Sequence, residues 1–127
     1  MTEEELKKRT KQFALRVLNL VAALPKTTAG RTIGNQLARS GTSVAANHRA
    51  ACRGRSKAEF ISKLGVVEEE ADESAFWLEM IIEGGLLEKS RVQALWIEAN
   101  ELVAIMTSSR KSAARSVVSL STSRNRS

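Results

Sequence analysis

The chain of 127 residues has one Pro, one Cys, one His, no Tyr, and only three Phe and two Trp. Each scarcity excludes something. Cys52 alone cannot form an internal disulfide, and it points to a reducing compartment. One Cys with one His, His48, cannot build a typical zinc site, so no metal or cofactor is expected. Five aromatic residues are too few for the stacking platforms that bind single-stranded bases. The apolar runs fall short of the roughly 18 to 20 residues of a membrane span, and no membrane partner is expected. The start, Lys7-Lys8-Arg9 followed by Phe13 to Leu24, has the outline of a signal peptide, but three Glu precede it and Arg16 and Asn19 interrupt it. Leu6, Phe13, Val17, Leu20 and Leu24 lie instead at helical spacing.

Scarce Pro leaves long uninterrupted periodic segments, and four helices are predicted. The first covers about 3–24 and stops at Pro25. The second covers about 28–53, with Ile33, Leu37, Val44, His48 and Cys52 on one stripe and the small residues Ser40, Gly41 and Ala45 beside it. Gly54 then ends it, and Ser56-Lys57-Ala58-Glu59 reads as a capping box opening the third. Phe60, Leu64, Val67, Ala71, Ser74, Leu78 and Ile81 mark the seam of that helix up to Gly84-Gly85. Val92, Leu95, Ala99, Leu102 and Met106 mark a fourth over about 88–108. Short loops between helices of this length predict an all-α, antiparallel up-down-up-down bundle spanning 1–109. Residues 110–127, rich in Ser and Arg, read as a basic tail that is mobile or orders against a partner. Apolar residues off the seams, such as Trp77, Met80, Trp96 and Val103, suggest a subunit interface.

Charge is unevenly placed. Net charge is +6, yet residues 1–27, 28–57, 58–109 and 110–127 carry +3, +6, −8 and +5. The second of these segments contains no acidic residue at all. Two consequences compete. Arg39, Arg49, Arg53, Arg55 and Lys57 are candidates for contacts to RNA or DNA phosphates, with Arg49, Arg53 and Lys57 spaced by four. Alternatively, the basic second helix pairs with the acidic cluster Glu68, Glu69, Glu70, Asp72 and Glu73 of the third, within the bundle or between subunits. Catalysis lacks material: the acidic residues fall mostly between seam positions, and His48 with Cys52, one turn apart on an apolar stripe, reads as packing. Asn47 and Gln36 read as polar groups that fix register or cap backbone.

The run from Gln36 through Arg39-Ser40-Gly41 to Asn47, then Arg53 to Phe60, then Glu70-Ala71-Asp72-Glu73-Ser74 with Trp77-Leu78, resembles the family of 23S rRNA intervening-sequence proteins over residues 3 to 109. It is also similar to the accessory variability determinant of diversity-generating retroelements. The resemblance implies a bacterial, cytoplasmic, non-enzymatic four-helix bundle that forms ring-like homopentamers and associates with RNA or DNA and with a reverse transcriptase. Gln36, Arg39, Ser40, Ser43 and Asn47 match the family signature, whereas Ala50 and Ala51 stand near where the family often carries an acidic residue.

Overall fold

The computed structural model describes the backbone of residues 1–125 and the side-chain surroundings of residues 1–116. Its elements are four helices, α1 (Glu3–Ala22), α2 (Thr28–Cys52), α3 (Lys57–Glu83) and α4 (Lys89–Asn125), and no strand occurs among the described residues. Local chemistry sets the ends. Thr2 caps α1 in a capping box, its hydroxyl accepting from the Glu5 N–H at 3.1 Å while the Glu5 carboxylate accepts from the Thr2 N–H at 3.2 Å. Thr27 and Ser56 cap α2 and α3 by accepting from the N–H groups of Gly30 and Glu59. The Glu59 carboxylate reaches one residue further back than a capping box requires, to the N–H of Arg55. At the end of α3, Gly85 adopts φ +66°, and the N–H groups of Leu86 and Gly85 donate to Ile81 and Ile82, closing a Schellman turn.

Neighbours in sequence are neighbours in space. α1 packs on α2, α2 on α3 and α3 on α4, while the α1–α4 seam that closes the bundle is the lightest. The core holds Phe13 and Val17, Leu37 and Val44, Leu64, Val67, Leu78 and Ile81, and Val92, Leu102 and Met106, all essentially without solvent exposure. These are the predicted seams, apart from Leu20, Ile33, Phe60 and Cys52, which are half-buried. Burying such side chains, each about 1.5–3 kcal/mol, drives assembly. α1 and α2 approach closely because Gly34 and Gly41 face Val21 and Val17, and Gly30 sits where any Cβ would collide with the Pro25 carbonyl. Across the light seam, Arg9 forks onto Glu98 with bonds of 2.8 and 2.7 Å and also holds Glu101.

The boundary expected near residue 109 is not a structural one. α4 runs on to Asn125, and Ala113 is buried. Arg110 Nε donates to Glu68 at 2.9 Å, tying this stretch to α3. The physical reason is that residues 109–125 contain neither Gly nor Pro, so a composition read as unstructured carries no helix breaker. The side chains of 117–127, Arg124 and Arg126 among them, lie outside the described residues. No helix among the described residues is long and apolar enough to cross a membrane.

Candidate nucleic-acid interface

Helix α2 divides the candidate cations between two banks. On the side facing α3, Arg39 donates to Glu70 at 3.0 Å and also to Glu73, so its guanidinium fork is occupied within the chain. One residue on, Ser40 is fully buried and accepts a hydrogen bond of 2.9 Å from Ser74. Ser40 in turn donates to the Leu37 carbonyl at 3.3 Å, which satisfies the buried pair. The sequence blocks around Arg39-Ser40 and Glu70 to Ser74 are therefore partners of one another, a lock between α2 and α3. Asn47 donates to the Ser43 carbonyl of its own helix at 3.0 Å, and Gln36 is exposed.

The other bank faces α1. Arg49 and Arg53 line an open groove with Lys7, Lys8 and Lys11 of α1, over a floor that includes Thr10, Thr42, Ala45 and Ala46, and no acidic side chain lines it. Lys7 is paired with Glu4 at 3.1 Å, whereas Lys8, Lys11, Arg49 and Arg53 have no ion-pair partner among the described residues. Sequence reasoning found Arg49 and Arg53 but not the α1 lysines. The signal was available: an antiparallel hairpin lays the first half of α1 along the last half of α2, and Lys7 and Lys11 lie four apart.

Arg55 and Lys57 do not line the groove. α2 ends at Cys52, Arg53 is its cap, and Lys57 is the first residue of α3, so the spacing of four with Arg49 and Arg53 does not make a shared helical face. Both are exposed, and Lys57 Nζ sits 5.7 Å from the Phe60 ring centroid. They extend the positive surface from the groove around the α2–α3 turn.

His48 and Cys52 lie beneath this end of α2. His48 is 2% exposed and burial holds its pKa below the usual imidazole value, so the ring is neutral at pH 7. Both ring nitrogens stand 3.9–4.0 Å from Cys52 Sγ, and burial, with the Glu3 carboxylate adding to it, pushes the thiol up to about 12. A thiol held protonated is not an activated nucleophile. On the opposite side, the Glu68 carboxylate is held below its ordinary range by bonds from Thr107 and Arg110, and that of Glu98 by the Arg9 fork. Among the described residues no group of three or more His, Cys, Asp or Glu could hold a metal ion. What this surface can do is attract and seat a polyanion.

Comparison with known proteins agrees with this architecture. The family model described as 23S rRNA-intervening sequence protein matches residues 2–108. The chain is similar to the crystal structure of a protein with unknown function from the S23 ribosomal protein family of Bacteroides thetaiotaomicron VPI-5482. Identity is 31% and the TM-score 0.81, covering 87% of this chain and 99% of that one. No match was found among curated proteins.

Proposed function

The chain belongs to the 23S rRNA-intervening sequence protein family, and from that premise we propose that it is a non-enzymatic, homo-oligomeric bundle that binds nucleic acid, RNA before DNA, through the phosphate backbone. The observation that carries this reading is the groove in which Arg49 and Arg53 face the α1 lysines with no acidic side chain between them. Arg49, Arg53, Arg55 and Lys57 supply the phosphate contacts, and the α1 lysines add to the field. Arg39 is removed from the set by its bonds to Glu70 and Glu73. Such contacts position a backbone without reading bases, so sequence discrimination is low, and several copies add their contacts.

Four phosphate contacts per copy predict a slope of log affinity against log salt of roughly −3 on single-stranded RNA. Between 50 and 200 mM salt affinity then falls by roughly sixtyfold. Fluorescence anisotropy of a labelled RNA across that range, with mass measured in parallel, tests the reading. Replacing Arg49 and Arg53 together by Ala flattens the slope by roughly one and a half. No binding at low salt, or binding indifferent to that double replacement, refutes it. The second reading, a protein-interaction scaffold in which basic α2 pairs with acidic α3, is favoured at Arg39 alone, where the pairing is internal.

A further inference from the structure

We propose that the groove between α1 and α2 tells RNA from DNA, with buried His48 as the group that hydrogen-bonds a ribose 2′-hydroxyl. The inference rests on the nucleic-acid reading above and names what sits beneath its phosphates.

His48 lines the groove together with Arg49 and Arg53, yet it is only 2% exposed. A buried neutral imidazole has one N–H to donate and one bare nitrogen to accept, and each needs a partner. Neither meets a nitrogen or oxygen atom among the described residues; their neighbour is Cys52 Sγ, 4.0 Å from Nδ1 and 3.9 Å from Nε2. A single thiol proton can serve one nitrogen at most, and sulfur is a weak partner in either direction. The ring is therefore short of a hydrogen bond where the groove opens onto it. Leaving such a group unmet while buried is costly.

The surroundings give the chemistry of the missing group. Lysines and arginines on the two banks take the phosphates. Below them the floor is uncharged: Ala45 and Ala46 leave depth, and the hydroxyls of Thr10 and Thr42 spend their protons on the carbonyls of Lys7 and Ala38, at 3.1 and 2.7 Å. The burial that keeps the ring neutral also opposes a phosphate set beside it. No aromatic side chain lines the groove, so bases have nothing there to stack on. The part of a strand left for the floor is the sugar. Its 2′-hydroxyl both donates and accepts, so it suits either ring tautomer, and DNA lacks it. Arg49 follows His48 directly, so a backbone seated on that guanidinium carries the adjoining ribose past the ring.

The test compares one unstructured sequence made as RNA, as DNA and as 2′-fluoro RNA, which keeps an RNA-like sugar but has no hydroxyl proton. By fluorescence anisotropy at low salt, the native chain is expected to bind RNA roughly tenfold tighter than either of the others. His48→Leu, with folding checked by circular dichroism, brings RNA affinity down to that of DNA. It leaves DNA affinity and both salt slopes unchanged, because a neutral contact releases no counterion. A merely structural histidine would weaken RNA and DNA alike. His48 is the only histidine of the chain, so its imidazole NMR signals are unambiguous, and their shift on adding RNA to the native chain is a readout that needs no variant. Equal affinity for RNA and DNA overturns the proposal and leaves the ring to a buried water. So does 2′-fluoro RNA bound as tightly as RNA, a folded His48→Leu variant that keeps the preference, or imidazole signals that saturating RNA leaves unmoved. Equal affinities that both fall in Arg49→Ala/Arg53→Ala sink this proposal alone and keep the phosphate reading. No binding of either nucleic acid at low salt removes both.

Discussion

Two chemically identical substitutions in α2, Gly34→Ala and Gly41→Ala, are expected to change stability in opposite directions. Each adds one methyl to a helix interior, and helix propensity alone favours Ala over Gly by about 1 kcal/mol. What differs is the neighbour on α1. At Gly34 a Cβ would lie 3.3 Å from Leu24 Cδ1 and from Val21 Cγ1, a squeeze of a few tenths of an ångström against side-chain tips. At Gly41 it would lie 2.7 and 2.8 Å from the two Val17 methyls and 3.0 Å from Val17 Cβ. Carbon atoms rest about 3.5–4.0 Å apart, so the overlap there approaches 1 Å. Val17 is fully buried and β-branched, and its preferred helical rotamer leaves no easy escape.

Overpacking of this kind costs about 1–3 kcal/mol. Gly41→Ala is therefore predicted to lose about 1 kcal/mol net, and Gly34→Ala to be neutral or to gain up to about 1 kcal/mol. Urea unfolding followed by circular dichroism, at one fixed protomer concentration because association shifts apparent stability, measures both. Val17→Ala removes the colliding methyls, so in Val17→Ala/Gly41→Ala the two losses should fall short of their sum by about 1 kcal/mol or more. Gly41→Ala as stable as Gly34→Ala, or strict additivity in the double variant, refutes this account of the α1–α2 contact.

Arg39→Ala should lower stability by about 0.5–1 kcal/mol, most at low salt, because it frees Glu70 and Glu73 on the half-exposed face of α3. It should leave RNA affinity unchanged, and a loss as large as that of Arg49→Ala would return Arg39 to the interface. Acid titration of stability has two stages. Burial lowers the folded-state pKa of His48 below 6.5, so the unfolded chain takes up that proton first and stability falls as pH drops below about 6.5, down to the folded value. Glu68 and Glu98 have lowered pKa values, so their contribution is complete above about 4.5 and is lost as pH falls through their folded values. His48→Gln should flatten the first stage and leave the second, as followed by thermal melts from pH 8 to pH 3.

The seams were legible in the sequence because a helical core is written in local spacing: Leu64, Val67, Ala71, Ser74, Leu78 and Ile81 recur at threes and fours and are all buried. The helix stop at Gly84-Gly85 and the Ser56 cap were legible for the same reason, since each is settled within a few residues. The end of α4 was not, because a Ser- and Arg-rich composition suggests solvation while the decisive facts are an absent breaker and a contact between Arg110 and Glu68 forty-two positions apart. The α1 lysines were missed for a related reason. Counting charge by segment keeps residues 7–11 apart from 49–53, and only the antiparallel hairpin lays them along one groove.

Net charge does not decide which arginines stay available; helix phase does. Arg39 and Arg49 lie in one acid-free helix, ten residues and therefore about 280° apart around its axis. That angle turns Arg39 toward α3, where Glu70 and Glu73 wait, and Arg49 toward α1, whose facing positions are Lys7 and Lys11. A chain of identical composition with its arginine moved by one position should behave differently. Arg49→Ala/Ala50→Arg keeps every charge and shifts the cation by about 100°, away from the groove toward the α3 side. If the groove seats phosphates, this variant should lose as much RNA affinity as Arg49→Ala, with a salt slope flatter by roughly 0.7. Retention of the native slope would mean that the bundle attracts nucleic acid as a diffuse positive body, and the geometry of Arg49 and Arg53 would then be irrelevant to binding.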